Sequence, residues 1–425
     1  MKFIRLFALC LLSIFVAQSS LSQEKIIILN EGNWQSDNGT MSYFENGKII
    51  SNKWFKEKNG KKLGDTPNDI IQINDNLLAI AINWSNIVQF ITPEGKAVAA
   101  TEDIPNNRKL ASDGKYLYVS SYGHECATVN GKVEFKKGFV AKIDLSTFKV
   151  VQTCEVGYEP EGIAYYKGYL FVANTGGYAF TEDHEYETTV SILDAETMKK
   201  VRDVDTHKIN LYGKMSRSGQ YLCINSPGDY YYVDAASIIF DCDAALKGSN
   251  NCFVVLDRAC TYNCPTKDGR FITIGSRFSY ITYEYKFYYA IIDPAVVMDT
   301  NGAVGVDETL PGTILSDIKK MTMPYAIYVN PYTGYIYGTD AATYVEGGTL
   351  YQWSPEGKLL GTHTLYINPG HILALPPDGK FNGVDDVLQD KVITDDTMYN
   401  LQGIKVQNPQ RGQIYIQNGK KILYK

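Results

Sequence analysis

A four-strand unit recurs along this chain, and a repeat of that kind restricts the fold more than any single motif can. It is clearest between residues 160 and 204, where Pro160–Tyr166, Tyr169–Asn174, Thr189–Asp194 and Lys200–Val204 form short apolar or alternating runs between turn-forming residues. Runs of this length, without helical periodicity, read as strands. A polar or proline-containing turn opens each unit. Such turns stand at Thr66-Pro67-Asn68, Asn106-Asn107-Arg108, Glu159-Pro160-Glu161, Asn210-Leu211-Tyr212, Asn263-Cys264-Pro265, Met323-Pro324-Tyr325 and Asn368-Pro369-Gly370. Their spacing of roughly 40–60 residues suits a four-stranded sheet with variable loops.

A second strand follows most entries, at Leu77–Ile82, Tyr116–Ser121, Tyr169–Asn174, Gln220–Asn225, Arg270–Gly275 and Tyr335–Gly338. After the last entry only His371–Leu375 reads as a strand before Pro376-Pro377-Asp378-Gly379 stops it. The missing strands are at the other end of the chain, as Ile26–Asn30, Thr40–Phe44 and Lys48–Ser51. Pairing the two ends closes the ring and removes exposed sheet edges. The expectation is an all-β, seven-bladed β-propeller with a composite N-/C-terminal blade; the alternative is an array of β-sandwiches with coincidental spacing.

The first 22 residues have the anatomy of a secretory signal peptide: Lys2 and Arg5, an apolar run from Leu6 to Val16, then small residues including Ser20 and Ser22. That run is shorter than the ~20 residues a spanning helix needs, and no later segment approaches one. Leu9 before Cys10 argues against a lipidation site. The domain reading is therefore a signal peptide at 1–22, the propeller at 23–380 and a tail at 381–425, in an exported protein of the extracellular or outer-membrane surface, with the periplasm as the alternative. Losing Lys2 and Arg5 leaves 39 basic against 47 acidic side chains, a net charge of −8. With no run of more than two basic residues either, nucleic acid is not an expected partner. Seven cysteines remain after cleavage, so at least one thiol is unpaired or bridges to a partner; the nearest pairs are Cys242 with Cys252 and Cys260 with Cys264.

Past an acidic linker, Met398–Val406, Gly412–Ile416 and Asn418–Lys425 read as three short strands. This ending resembles the C-terminal sorting or surface-attachment modules of exported Bacteroidetes proteins. The larger part, through Leu29-Asn30-Glu31-Gly32-Asn33-Trp34, Leu63-Gly64-Asp65-Thr66-Pro67-Asn68-Asp69, the blade from Gly162 to Asp194 and Asn368-Pro369-Gly370-His371, resembles the YncE-like surface propellers of Bacteroidetes. That group includes surface cobalamin-binding proteins and members encoded near outer-membrane uptake systems. The resemblance implies an extracellular binding protein, with cobalamin as one candidate ligand and an outer-membrane transporter as a candidate partner.

In a propeller, the loops after each second strand and the turns into each first strand emerge on one face. An aromatic follows each second strand, at Trp34, Trp84, Tyr122, Tyr178, Tyr230, Tyr280 and Tyr344. Rigid rings on one rim offer a sugar or planar heterocycle large contact area at low entropic cost. Several could instead pack between blades. Polar candidates on the same face are Asn30, Glu31, Asn33, Asp65, Asn68, Asp69, Arg108, Glu159, Glu161, Asn174, Arg277, Asp340 and His371. Of these, Arg108 and Arg277 suit an anion or carboxylate, and His371 could serve as acid or base. The loop from Thr181 to Glu187 is acidic but lacks calcium-loop spacing. No nucleophile elbow, phosphate loop, dinucleotide motif or zincin motif is present. The expected function is non-catalytic capture of a small molecule, glycan or partner, without a cofactor or metal; the alternatives are a lyase or lactone hydrolase at the channel mouth, or a platform for an uptake system.

Overall fold

Residues that alternate or run apolar for six positions form strands wherever a turn ends them, and among the described residues they assemble into eight four-stranded antiparallel sheets, seven of them the blades of a propeller. The computed structural model describes residues 24–125, 133–381 and 383, with 398–399, 405–406, 411, 414–417 and 420–423 of the tail. The expected signal peptide, Cys126 and most of the acidic linker lie outside the described residues. The chain divides into two units, 1–381 and 382–425.

In the larger unit, blade 1 begins at Pro67–Asn74, blade 2 at Asn107–Ser112, blade 3 at Pro160–Tyr166, blade 4 at Ser216–Ser218, blade 5 at Tyr262–Pro265 and blade 6 at Pro324–Val329. Blade 7 joins the ends of the propeller: Pro369–Leu375 pairs antiparallel with Lys25–Asn30, which continues into Thr40–Glu45 and Lys48–Ser51. Glu24 reinforces the closure. It is buried, and its carboxylate accepts hydrogen bonds from Asn330 Nδ2 and Tyr337 Oη of blade 6, both at 2.7 Å.

The second strand of each blade is covered on both faces. Leu77–Ile82 is buried at every position, hence its unbroken apolar sequence. Among the described residues the core falls into seven clusters, one at each blade-to-blade interface; Ile163 and Leu170 of blade 3 meet Tyr118 and Val140 of blade 2, for example. Each blade is thus a wedge stabilised by its two neighbours.

Three expectations need correction. Asn263-Cys264-Pro265 is not the turn into blade 5 but lies within its first strand, Asn263 pairing with Thr273 and Pro265 with Phe271. Turn-like composition misleads here because the strand is only four residues long and Pro265 occupies its end. The suggested cysteine pairs do not form either. The six described cysteines form no disulfide, and Cys260 faces Cys223 of blade 4 at 3.8 Å rather than Cys264. Among the described residues of the smaller unit there are four strands instead of three, ordered Lys405–Val406, Met398–Tyr399, Ile414–Gln417, Lys420–Leu423, because Met398–Tyr399 pairs antiparallel with Lys405–Val406.

Candidate functional site

The first strand of a blade lines the ring's centre, and how it starts decides what enters the channel mouth. In blades 1, 2 and 3 and in blade 7 the residue before it has a left-handed backbone: Thr66, Asn106, Glu159 and Asn368, with φ between 42° and 57°. The strand's register with its neighbour then slips within its first few residues in blades 1, 2, 3, 6 and 7. Such bulges re-aim side chains. The residues caught in them are Asn68, Arg108 with Lys109, Glu161 with Gly162, Tyr325 and Gly370. Backbone groups released there are taken up by the preceding blade: Ser120 Oγ donates to the Glu161 carbonyl and Thr339 Oγ to that of Pro369, both at 2.7 Å.

Side chains so aimed form an ionic cluster. Glu161 accepts two hydrogen bonds from Arg108, Nε to Oε2 at 2.6 Å and Nη2 to Oε1 at 3.2 Å, and a third from Tyr122 Oη at 2.8 Å. Arg108 also lies over the Tyr122 ring, 4.8 Å from its centroid. Lys109 Nζ donates to the Asn68 carbonyl at 2.7 Å and stands 3.7 Å from Glu161. Asp69 accepts from the Leu110 amide at 2.9 Å and faces Lys214 at 3.5 Å. Across the mouth, His371 Nε2 donates to Glu31 at 2.9 Å, Tyr262 Oη donates to His371 Nδ1 at 2.8 Å, and Tyr325 Oη donates to Glu31 at 2.7 Å. These bonds are all met by the neutral Nε2–H tautomer of His371.

Three carboxylates therefore face three cations. Burial alone would raise Glu161, yet Arg108 and Lys109 hold it below the ordinary carboxylate value. Glu31 and Asp69 are likewise held low against burial, the first by His371 and Tyr325, the second chiefly by Lys214 and Lys109. Burial, with Lys109 nearby, depresses His371, and burial also pushes the phenols of Tyr122, Tyr262 and Tyr325 well up, so they remain neutral donors.

A second cluster sits between blades 2 and 3. Glu159, fully buried, receives His124 Nε2 at 3.0 Å on one oxygen and His184 Nε2 at 2.6 Å on the other. His184 stacks on Tyr158 at 4.3 Å, Phe135 packs against both imidazoles, and His124 Nδ1 donates to the Glu125 carbonyl at 2.7 Å. Glu159 is one of the expected polar residues of this face, whereas its partners His124 and His184 are not. The available signal is a histidine in the loop after the second strand of two successive blades. His184, from the acidic loop, turns inward, while Glu182, Asp183 and Glu185 are exposed. Among the described residues no group of three or more His, Cys, Asp or Glu is arranged to hold a metal.

The expected rim residues divide by depth. Arg108, Tyr122 and His371 belong to the ionic cluster, with Tyr122 and His371 about 5% exposed. Tyr178 packs edge-on to Tyr122 and beside His124. Trp34 is exposed and meets the partly buried Trp84 edge to face at 4.9 Å. Arg277 pairs with Asp234 in the loop of blade 4. Tyr280 and Tyr344 are exposed and Tyr230 half-buried; Tyr344 packs edge-on to Tyr325, linking cluster and rim.

Outermost is a wall the sequence reading only touches at Tyr230, Tyr280 and Tyr344. The second and third strands of blade 5, Phe271–Ser279 and Glu284–Ile292, run nine residues each and overshoot the neighbouring blades. Register pairs Phe278 with Tyr285 and Ser276 with Phe287, so these side chains share one face of the hairpin. Tyr280 stacks on Tyr231 of blade 4 at 5.1 Å and is edge-on to Phe278 at 4.8 Å.

No family model matches the chain, and no curated protein matches it. Among solved structures it is similar to a quinonprotein alcohol dehydrogenase-like protein from Bacteroides thetaiotaomicron, with 11% identity over 83% of this chain and 78% of that one and a TM-score of 0.52. It is also similar to Kuenenia stuttgartiensis hydrazine synthase, with 14% identity over 73% of this chain and 93% of that one and a TM-score of 0.51. At such identities the likeness establishes the β-propeller fold alone.

Proposed function

We propose that this chain is an exported, non-catalytic binding protein that captures its ligand on the loop face of the propeller. The observation that carries this is the contrast at that face: Trp34, Tyr280 and Tyr344 expose their rings, whereas the carboxylates beneath them are already engaged, Glu161 and Asp69 by the cations Arg108, Lys109 and Lys214 and Glu31 by hydrogen bonds from His371 and Tyr325. A hydrolase or lyase needs a base or an electrophile left free to act on substrate. The YncE-like resemblance supports the same reading and supplies cell-surface uptake as the setting, with cobalamin as one ligand to test.

One arrangement favours the enzyme alternative: the line Tyr262–His371–Glu31, in which a histidine bridges a hydroxyl and a carboxylate. A thermal-shift screen of the protein against cobalamins, oligosaccharides and divalent cations tests the binding reading, since ligation raises apparent stability by mass action. A hit is expected to vanish in Trp34→Ala/Trp84→Ala or in variants of the tyrosine wall while the unliganded melting temperature stays nearly constant. Turnover of a screened compound, lost in His371→Gln, would replace binding by catalysis.

A further inference from the structure

The loop face carries an unusual density of exposed aromatic surface on blades 4 to 6. Tyr231, Tyr232, Tyr280, Tyr283, Tyr285 and Tyr344 are 38% to 83% exposed, with Phe287 at 37%. Water-exposed aromatic surface of this extent is costly to keep unless something covers it, and on soluble proteins it marks a binding site.

Its chemistry narrows the occupant. Six of these seven residues are tyrosines, which offer an apolar ring face and a hydroxyl edge together. The loop that presents Tyr231 and Tyr232 is held by Asp229 Oδ1, which accepts from the amides of Tyr231, Tyr232 and Val233 at 2.8–2.9 Å. Tyr280 is tied to that loop by a 3.1 Å hydrogen bond from its amide to the Tyr230 carbonyl. The rings are thus positioned before any ligand arrives. The wall is also nearly neutral: Arg277 is paired with Asp234, and the exposed Glu284 and Lys286 offset one another. A phosphate or carboxylate ligand would need a cation free to meet it, and a membrane surface would call for aliphatic wedges beside a basic cluster.

We propose that the wall formed by the hairpin of blade 5 with the loops of blades 4 and 6 is the site of a neutral oligosaccharide, whose C–H faces stack on the tyrosine rings and whose hydroxyls meet the phenols. This deepens the binding reading above and rests on it. The test titrates the full chain with hexaoses of β-1,4-glucose, α-1,4-glucose, β-1,4-mannose and β-1,4-xylose by calorimetry. One of the hexaoses is expected to bind, Tyr283→Ser/Tyr285→Ser to weaken it at least about tenfold, and Tyr285→Phe to keep most of the affinity, since stacking supplies the larger share. Hexaose binding that the double variant leaves untouched would overturn the assignment of the site. Silence from every hexaose, with a cobalamin or charged compound still bound, would overturn the glycan and leave the binding function standing. Silence from all of them would remove both.

Discussion

The inner strands of blades 7, 1, 2 and 3 and the long hairpin of blade 5 reach the same face of the ring, yet they carry their polar and aromatic groups in opposite ways. At the centre, Glu31, Asp69 and Glu161 are shielded and each is bonded to a specific partner on another blade, Tyr325, Leu110 and Arg108 respectively. On the hairpin, Tyr283 and Tyr285 are exposed and pack against the nearby Phe278 ring. A side chain that links blades is costly to change, because its partner is left buried and unpaired. A side chain that presents a ring to water is cheap for folding and available for ligand. The central cluster is read as the clasp of the ring, and the wall as its working surface.

The harshest test removes one charge from the clasp. Glu161→Ala strands Arg108, whose side chain is 13% exposed, and weakens the environment of Lys109. Breaking a buried pair from one side typically costs about 3–5 kcal/mol, whereas removing both partners costs much less. Urea denaturation should therefore show a large fall in midpoint for Glu161→Ala and substantial recovery in Arg108→Met/Glu161→Leu. A single-variant loss under about 1 kcal/mol would mean that the clasp carries little of the fold.

A smaller effect is expected at Gly370. A Cβ there would lie 2.2 Å from Glu31 Oε1 and 3.1 Å from the Tyr325 ring. The Glu31 carboxylate can move aside, but only by leaving His371 and Tyr325. Gly370→Ala should cost about 1–3 kcal/mol, the penalty of an unsatisfied buried group, again read from the denaturation midpoint. Gly370→Ala combined with Glu31→Ala should then be less than additive.

Much of this architecture was legible in the chain. The blade from Pro160 to Asp205 and the joining of Ile26–Asn30 with His371–Leu375 follow from apolar runs and turn residues, signals that are local and repeated. The pairing of side chains across the channel was not legible. Arg108 and Glu161 are 53 positions apart and Glu31 and His371 are 340 apart, and their meeting depends on bulges at strand entries that leave no mark beyond a proline or asparagine. The Arg108 expectation of a carboxylate partner was chemically sound, but the carboxylate is the protein's own. The hairpin of blade 5 escaped because its nine-residue strands, Tyr- and Phe-rich past residue 277, resemble the start of a loop once the usual six positions are exceeded.

Acid should separate the two regions as well. The folded pKa of His371 is depressed, so between the unfolded value near 6.5 and that lower value the unfolded chain binds a proton that the native chain excludes. Stability must fall as pH drops through this window, at no more than about 1.4 kcal/mol per unit. Glu31, Asp69 and Glu161 are depressed carboxylates: their contribution is present above the unfolded values near 4 and is lost as pH falls further, through the folded ones. The melting temperature should thus decline in two stages below pH 7, with the first flattened in His371→Asn. Variants of the wall should leave both stages unchanged.

The smallest expected change is the most informative about the wall. Tyr283 is 75% exposed and Tyr285 45%, and neither belongs to a core cluster, so replacing both by serine removes little buried surface. The two rings do touch Phe278, and Tyr285 lies parallel to Phe287, so some contact is lost. That loss is offset in part because fewer apolar atoms face water. The net change in unfolding free energy should stay within about 0.5 kcal/mol, as for surface substitutions generally. A destabilisation above about 2 kcal/mol would show that the hairpin's aromatic face holds blade 5 against its neighbours, and the division between clasp and working surface would then fail at the wall.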